Sequence, residues 1–336
     1  MNPAQAAIAR LRVEIADRSA RFGTPIDVAA LGVTDRNGEL PLEAPGSFVS
    51  PNGACRLFRA ADGWMALNLA RPEDAALVPA WLERDVGEAW TLVDRHAGER
   101  SCAELVARAE LLGLPAARLG EADPAAAPIL PVAGAARRTS RSRLKVVDLS
   151  ALWAGPLCGA ILAAIGAEVL RVESRRRPDP SRDSTPAFFH RLNGAKTALT
   201  LDLSAAADRT RLTDLIRGAD MVITSARRRG LASLGLDPGA LVRAVPGLVW
   251  VAISGYGWTG PDRAAFGDDA AAAGGLVQWT GGAPGFLGDA MADPITGLAA
   301  AASALVALQA GGGVIVDAGM APAAAWAAHR APVPVA

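Results

Sequence analysis

The segment Asp293-Pro294-Ile295-Thr296-Gly297 carries the strongest chemical signal, because it places one carboxylate at the start of the apolar run Leu298–Leu308. Proline disfavours the helical conformation for the residue before it and suits the first position of a helix. The pattern predicts that Asp293 is the N-cap of a buried helix, where backbone N–H groups and the helix dipole stabilise negative charge. Two interpretations stay open: a structural cap, or a carboxylate nucleophile that is kept ionised and exposed.

Three further aspartates precede this segment. Asp289 is a rival nucleophile, although the predicted capping position and the Thr-Gly that follows favour Asp293. Asp268 and Asp269 either cap the Ala-rich helix that follows them or line a substrate pocket. An unperturbed aspartate has a pKa of about 3.9, so we expect the reactive carboxylate to be ionised at neutral pH without a separate base.

A second signal is the turn between the strand Val146–Leu149 and the helix after it, which reads Trp153-Ala154-Gly155-Pro156-Leu157-Cys158-Gly159. Small residues let the backbone approach a ligand, and a helix N-terminus attracts anions. The turn has neither the dinucleotide glycine pattern nor a Walker motif. It is either an anion site or a tight packing turn, and the run Arg227–Arg229 is likewise either a phosphate contact or a solvated surface.

The elements that must position these residues alternate between strands and helices after residue 145. This alternation predicts a Rossmann-like α/β fold, a parallel sheet with helices on both faces. We predict strands at 146–149, 168–172, 198–203, 221–224, 248–253 and 314–316, and helices at 157–165, 209–217, near 241, after 293 and at 321–330.

The first third of the chain follows a different pattern. Helical periodicity covers residues 3–18, 74–83, 86–95 and 102–112, and Asp62-Gly63 lies between two short apolar strands, which indicates a hairpin. We therefore predict a smaller α+β module at 1–120, a linker at 121–145 that contains a basic run, and the Rossmann-like domain at 146–336.

The composition excludes several classes of protein. The 34 basic and 34 acidic side chains balance, so no general attraction to nucleic acid or to an anionic membrane is expected. The three cysteines and three histidines are scattered, without the spacing of metal ligands. Residues 1–23 form an amphipathic pattern without the apolar core of a signal peptide. The apolar runs near the end read as too short or too interrupted to span a bilayer, and we expect a cytoplasmic protein.

Five blocks in residues 146–330 resemble, in the same order, the motifs of the family III CoA-transferases, the carnitine and formyl-CoA transferase type. The blocks are Val146–Glu173, Asn193–Leu203, Ala219–Ile223 with Leu234–Leu236, Val251–Pro261, and Asp293-x-x-Thr296-Gly297. The N-terminal module is similar to the small domain of the family, with the motifs Pro51-Asn52-Gly53 and Asp62-Gly63-Trp64. In the usual order that domain follows the nucleotide-type domain, whereas here it precedes it.

The resemblance implies roles for individual residues. Asp293 matches the acyl-accepting aspartate of the family, while Trp153, Ala154 and Gly155 match the turn near the bound CoA nucleotide. Arg171 lies on a strand that ends beside that pocket. Ser225, Ala226 and Arg227 match a loop that cradles CoA, in which only the arginine is retained as a type. Where many members have an arginine, this chain has Ser233, and Arg228 and Arg229 are candidates to compensate.

The resemblance also implies a reaction. CoA moves between an acyl-CoA thioester and a carboxylic acid through a covalent aspartyl intermediate, with no metal and no tightly bound cofactor besides CoA as cosubstrate, in a homo-oligomer such as a dimer. The alternative is a degenerate CoA-binding or partner subunit without turnover. An acyl-CoA racemase is disfavoured because Gly267-Asp268-Asp269 stands where that branch has a Gly-His-Asp motif. A nicotinamide dehydrogenase is disfavoured because the glycine pattern is absent.

Overall fold

A computed structural model describes residues 2–132 and 143–329 of the 336-residue chain. Its main element is a seven-stranded sheet in the order β4-β12-β9-β8-β5-β6-β7, in which β4 runs antiparallel to β12 and the other neighbours are parallel. The strands are β4 (Ile129–Pro131), β5 (Lys145–Leu149), β6 (Glu168–Ser174), β7 (Thr197–Leu201), β8 (Met221–Thr224), β9 (Val249–Ser254) and β12 (Val314–Gly319). The central strands β8 and β9 are almost wholly buried, as expected for a parallel sheet covered on both faces.

Helices cover both faces of this sheet, and the predicted α/β fold is confirmed. One face carries α1 (Pro3–Ala20), α5 (Ala154–Ala164), α11 (Gly267–Ala273), α12 (Ala292–Gln309) and α13 (Met320–His329), which share one hydrophobic core. The other face carries α8 (Ala206–Arg217), α9 (Arg228–Ser233) and α10 (Pro238–Ala244) around a second core. The short helices α6 (Ser181–Ser184) and α7 (Pro186–Asn193) connect β6 to β7.

The N-terminal region contains a small α+β unit with its own core. The predicted hairpin is present as β1 (Cys55–Arg59) and β2 (Trp64–Asn68), and β3 (Ala116–Arg118) extends it to an antiparallel sheet. The unit is completed by α2 (Pro72–Leu82), α3 (Ala89–His96), a 3-10 turn at Ala97–Glu99 and α4 (Cys102–Leu112). Its core is built around Trp81, which is fully buried and donates its indole N–H to the Leu105 carbonyl oxygen.

The contacts divide the chain differently from the predicted boundaries at residues 120 and 145. Helix α1 packs against α12 and α13 of the large sheet, because its apolar stripe through Ile8, Leu11 and Ile15 joins their core. Residues 129–131 of the predicted linker form the edge strand β4, and residues 133–142, which hold most of the basic run, lie outside the described residues. A hairpin that the sequence reading missed, β10 (Val277–Thr280) with β11 (Ala283–Phe286), precedes α12.

Helix α12 corrects the expectation that the late apolar runs are too short to span a membrane. It is 18 residues long with a mean hydropathy of 1.2, so by length and composition alone it could cross a bilayer. However, 78% of it is buried inside the protein, where it packs against α1, α5 and α13. Its apolar character is therefore accounted for by its position as the central helix of the larger core.

Candidate functional site

A cavity of about 600 Å³ lies at the carboxyl ends of β5, β8 and β9, next to the N-termini of α5 and α12. This is the edge at which open parallel α/β sheets bind ligands. Six of the residues predicted from the sequence line it together: Ala154, Gly155, Ser225, Ala226, Arg227 and Asp293. The structure thus gathers most of the predicted site from three separate segments of the chain.

Asp293 reaches this cavity from a position that differs from the prediction. Helix α12 begins at Ala292 with Met291 as its N-cap, so Asp293 is the second helical residue and does not cap its own helix. The turn before the helix passes through Ala290 at φ +46°, which lets α12 start before Pro294 rather than at it. The Asp293 Oδ1 atom instead accepts a hydrogen bond of 3.3 Å from the backbone N–H of Ala154, the first residue of α5.

Glycines bring the surrounding backbone close to this carboxylate. A Cβ on Gly267, the first residue of α11, would lie 2.2 Å from the Asp293 Oδ2 atom. A Cβ on Gly297 would lie 2.6 Å from the Ala154 carbonyl oxygen, so this glycine allows α12 to pack directly on α5. The glycine of the Thr-Gly motif is therefore explained by helix packing, which fixes the distance between Asp293 and its N–H donor.

The environment of Asp293 corrects the expectation of an ordinary carboxylate pKa. Burial raises the pKa of Asp293 to about 7, an effect that Asp268 and Asp289 reinforce and that Arg36 and the Ala154 N–H oppose. The single long hydrogen bond compensates only a little of the cost of removing the carboxylate from water. Near neutral pH, Asp293 therefore exchanges between its ionised and protonated forms.

Asp289, the rival nucleophile, is fully engaged. Arg36 donates to both of its carboxylate oxygens, at 2.8 Å from Nε and from Nη2, and Asn52 Nδ2 donates to Oδ1 at 2.7 Å. Its side chain is 8% exposed and does not line the cavity. Asp289 is therefore an anchor for the turn before α12, and Asp293 is the carboxylate that faces the ligand space.

Asp268 and Asp269 are buried in the first turn of α11, and neither lines the cavity. Asp268 accepts hydrogen bonds from Asn52 and from the Ala290 N–H, and burial raises its pKa to about 6. Asp269 accepts hydrogen bonds from the Phe266 N–H and from Asn68, and burial raises its pKa to about 7. The structure thus favours the capping interpretation for Asp269, whose Oδ1 atom receives the N–H of the N-cap residue.

The resemblance assigned Trp153, through its backbone, and Arg171, on an adjacent strand, to the CoA site, but neither residue lines the cavity. The Trp153 ring is buried against Phe188 and donates its indole N–H to the Val33 carbonyl oxygen at 2.9 Å. Arg171 is 3% exposed because it pairs with Glu173 at 3.0 Å and with Asp179 at 3.1 Å. Since Asp179 also accepts the Leu152 N–H, Arg171 supports the turn between β5 and α5 from behind.

A buried ion pair holds the first turn of α5 in place. Lys196 Nζ donates to Asp148 Oδ2 at 2.8 Å, to the Pro156 carbonyl oxygen at 2.9 Å and to Asn193 Oδ1 at 3.0 Å. A Cβ on Gly159 would lie 2.6 Å from the Asp148 carboxylate, so this glycine makes room for the pair. The Asp-Leu-Ser and Asn-Gly-Ala-Lys motifs of the sequence are therefore joined in one structural contact beneath α5.

Five arginines form a cationic mouth to the cavity, and three of them were not predicted. Arg71 pairs with Asp74, and Arg263 pairs with Glu121, whereas Arg177, Arg227 and Arg229 have no carboxylate partner among the described residues. Burial, with Arg229 and Arg71 nearby, lowers the pKa of Arg227. Charges left uncompensated in this way favour an anionic ligand, and the planar guanidinium groups suit phosphate.

The neighbouring Arg228 was one of two candidates to replace a missing family arginine. Its guanidinium instead donates to the Trp258 and Gly260 carbonyl oxygens, both at 2.7 Å, and it does not line the cavity. Arg229 and Ser233 do line it. Of the two candidates, Arg229 alone stands where it can contact a ligand.

The sequence reading missed the residues that come from distant segments. Arg36 and Asn52 lie in the connection between α1 and β1, more than 230 positions from Asp289, which both contact. Arg71 and Arg177 are N-terminal to α2 and α6 without any motif around them. The one available signal was the Pro51-Asn52-Gly53 motif, which the resemblance assigned to the small domain of the family without indicating a partner for Asn52.

Comparison with known proteins identifies the family. The model of CoA-transferase family III matches residues 142–333. A succinyl-CoA–D-citramalate CoA-transferase of Chloroflexus aurantiacus is 35% identical over 193 residues, which are 53% of this chain and 48% of that protein. A succinate–glutarate CoA-transferase of Agrobacterium fabrum is 32% identical over 203 residues, which are 54% and 51% of the two chains.

A solved structure agrees with this match. The crystal structure of a CaiB/BaiF family protein from Brucella suis superposes with a TM-score of 0.50 at 31% identity, over 56% of this chain and 55% of that one. The chain spans about half the length of the curated relatives it matches. With the family model covering more than half of its residues, the chain belongs to CoA-transferase family III.

Proposed function

We propose that this protein moves CoA between an acyl-CoA thioester and a carboxylic acid, and that Asp293 carries the acyl group and then CoA as a covalent intermediate. One observation carries the proposal: the Asp293 carboxylate faces the same 600 Å³ cavity as three arginines that have no carboxylate partner in the part of the chain that the structure describes. The arginines suit the phosphates of CoA. The Asp293 carboxylate lines the same cavity, where the thioester of a CoA bound through its phosphates can reach it. The succinyl-CoA-dependent enzymes among its relatives support this reaction class.

The binding half of the proposal uses the cationic mouth. The phosphates of CoA would contact Arg177, Arg227 and Arg229. The side chains of Ser225 and Ala226 are small, which lets the nucleotide approach the backbone closely. Arg71 comes from the small N-terminal unit, and Arg229 extends to within 3.6 Å of a Cβ built on Gly113 in the same unit. The N-terminal unit therefore closes one side of the proposed CoA site.

The chemical half begins with the ionised form of Asp293. Its carboxylate attacks the thioester carbonyl carbon, the carbon–sulfur bond breaks, and an aspartyl–acyl anhydride and CoA thiolate result. The thiolate then attacks the aspartyl carbonyl carbon and releases the first carboxylic acid, which leaves CoA as a thioester on Asp293. An acceptor carboxylate repeats the two steps in reverse and leaves as the new acyl-CoA, so that no ATP is consumed.

The developing oxyanion requires a hydrogen-bond donor. Candidate donors are backbone N–H groups near Gly255 and Gly257 or at a helix start, and the Gly257 N–H already donates to Ser254 Oγ at 3.0 Å. Gly155, the second residue of α5, lines the cavity, and its N–H has no partner among residues 2–132 and 143–329. We include this N–H, at the positive end of α5, as the oxyanion donor.

The test is a CoA-exchange assay with labelled CoA thioesters against a panel of mono- and dicarboxylic acids. We expect exchange with at least one acid for the native chain, and none for Asp293→Asn. Asp214→Asn is the matched control, because Asp214 is 64% exposed on α8 and touches nothing in the cavity. Exchange retained by Asp293→Asn would exclude this residue as the nucleophile.

A degenerate CoA-binding subunit without turnover is the second candidate, and two features favour it: the small unit precedes the family-matched segment, and Ser233 stands where many members have an arginine. It predicts CoA binding that depends on Arg227 and Arg229, with no exchange for any acid in the panel. The proposal includes assembly into a homo-oligomer, which the family resemblance supports, and a cytoplasmic location, which the composition supports. Light scattering and cell fractionation would check them.

A further inference from the structure

Arg36 occupies a special position relative to the two helices that meet at Asp293. Its guanidinium pairs side-on with both oxygens of Asp289 and lies 4.9 Å from the centre of the Trp153 ring. Asp289 belongs to the turn that leads into α12, and Trp153 is the N-cap of α5. One side chain therefore contacts the residues that precede both helix N-termini.

These two helix starts determine the geometry of the reactive carboxylate. Asp293 is the second residue of α12, and its hydrogen-bond donor, the Ala154 N–H, follows Trp153 directly. The hydrogen bond from the Ala154 N–H to Asp293 Oδ1 is long, at 3.3 Å between nitrogen and oxygen, so a small relative shift of the two helices would break it. The contact made by Arg36 resists that shift on the side away from the cavity, since Arg36 does not line it.

Asn52 adds a second connection to the same turn. Its Nδ2 atom donates to Asp289 Oδ1 and to Asp268 Oδ2, both at 2.7 Å, and Asp268 accepts the Ala290 N–H at 2.8 Å. The α11 start is thereby tied to the α12 start, and the α11 backbone at Gly267 lies so close to Asp293 that a Cβ there would be 2.2 Å from Oδ2. Both Arg36 and Asn52 lie outside the family-matched segment 142–333.

We propose that Arg36 is a positioning residue for the Asp293 reaction: by bridging Trp153 and Asp289, it holds α5 and α12 in the register at which the Asp293 carboxylate faces the cavity. This rests on the proposed function of Asp293. The N-terminal segment is then part of the catalytic unit, and the family-matched segment alone lacks this support.

Arg36 also acts on Asp293 through its charge. It is the cation that most opposes the burial effect on the pKa of Asp293, while Asp268 and Asp289 act in the opposite sense. The remaining charged groups that face the carboxylate across the cavity are Arg71, Arg177, Arg227, Arg229 and Arg263. Replacing Arg36 by a neutral side chain therefore raises the pKa of Asp293, and the ionised nucleophile is lost at a higher pH than in the native protein.

The experiment compares Arg36→Met and Arg36→Lys with the native chain, and Arg59→Met is the matched control. Arg59 is exposed and stacks on Trp64 at 5.2 Å in the small unit, far from the cavity lining. We expect Arg36→Met to lower kcat about 10²-fold with little change in KM for acyl-CoA, because a misplacement of about 1 Å has that effect. We also expect the acid limb of the pH profile of kcat to move to higher pH in Arg36→Met.

Arg36→Lys separates position from charge. The lysine keeps the cation but cannot pair side-on with Asp289 and stack on Trp153 together. We expect its acid limb to stay near that of the native chain while kcat stays reduced. An unmoved acid limb in Arg36→Met, or a loss that appears only in KM, would overturn the proposal. If Arg36→Met does not fold, the kcat of Arg36→Lys decides: a native value contradicts a positioning role.

Failure of the proposed function is recognised separately. If the native chain shows no exchange that depends on Asp293, the pKa of the Asp293 carboxyl group is measured from the NMR chemical shift of its carbon as the pH is varied. The Asp293→Asn variant provides the assignment of the signal. A higher pKa in Arg36→Met than in the native chain and in Arg59→Met then supports the coupling. Equal pKa values in the three proteins would contradict it.

Discussion

Two aspartates contact the first turns of α5, and their surroundings are opposite in character. Asp148 beneath the helix is paired with Lys196 at 2.8 Å and accepts hydrogen bonds from the Ser150 N–H and hydroxyl. Asp293 at the helix start has one N–H at 3.3 Å and a pKa raised to about 7. The same fold can thus compensate a buried carboxylate fully, so the poor compensation of Asp293 is a property of the cavity that it faces.

The difference separates structural from reactive carboxylates. A compensated carboxylate is inert because its oxygens are occupied, and removing its partner is costly. An under-compensated carboxylate carries the cost of its burial and is free to bond to a ligand. Asp289 belongs with Asp148, since Arg36 and Asn52 occupy its oxygens. This is why Asp289 and Asp293, four positions apart in the sequence, have different roles.

The largest expected effect concerns Asp293 itself. Asp293→Asn removes the nucleophile, so the rate of CoA exchange should fall by about 10³-fold or more. Because the amide cannot ionise, the same variant should raise the free energy of unfolding at pH 8, which denaturant titration would measure. A variant that loses both activity and stability would place Asp293 with the compensated carboxylates.

Replacing Lys196 should lower the free energy of unfolding, the opposite of the effect expected for Asp293→Asn. Lys196→Met leaves the Asp148 carboxylate buried without its cation, and we expect a loss of about 3–5 kcal/mol in the free energy of unfolding. The double variant Asp148→Asn/Lys196→Met should recover most of this loss, as measured by urea unfolding. If the single variant were as stable as the native chain, the ion pair would contribute nothing to the position of α5.

The pH dependence of stability sharpens the comparison for Asp269. Its pKa is raised from about 3.9 in the unfolded chain to about 7 in the fold. The protonated folded form is favoured, so this stabilisation is complete below pH 4 and is lost as the pH rises to about 7. Asp269→Asn should remove up to about 4 kcal/mol of this dependence, as seen in unfolding curves between pH 4 and 8. An unchanged slope would contradict the raised pKa.

The smallest effect is expected at Gly267. A Cβ there would meet Asp293 Oδ2 at 2.2 Å and the Ala290 carbonyl oxygen at 2.6 Å, so Gly267→Ala has to move one of them. We expect a loss of about 1–3 kcal/mol in stability, together with a lower exchange rate. The control is Gly98→Ala in the exposed 3-10 turn of the small unit, where a Cβ would lie 4.0 Å from the nearest heavy atom. Equal exchange rates for both variants would show that Asp293 tolerates displacement.

The sequence predicted those parts of the molecule that depend on local pattern. The alternation of apolar strands and helices predicted the sheet, and the resemblance to the family assigned Gly155, Ser225 and Asp293 to one site. Asp293 was assigned as an N-cap because Pro294 fits the first helical position, but the turn at Ala290 starts the helix earlier. A local rule cannot anticipate a backbone conformation that tertiary contacts impose.

Other features could not be predicted because they depend on contacts between distant segments. Arg36 and Asn52 reach Asp289 from loops without periodicity, and the pKa of Asp293 is set by its burial among α5, α11 and α12. The buried position of Arg171 likewise follows from Asp179, eight residues along the chain, and not from any strand pattern. Charge pairing and burial thus decide which polar residues face the ligand.

The central claim is that Asp293 forms a covalent link, and trapping that link tests it most directly. The native chain and Asp293→Asn are incubated with acyl-CoA and then with hydroxylamine, which attacks the aspartyl carbonyl carbon and releases CoA. Peptide mass spectrometry should find a hydroxamate at Asp293 in the native chain and none in the variant. CoA binding without any hydroxamate, or a hydroxamate at Asp289 instead, would contradict the account.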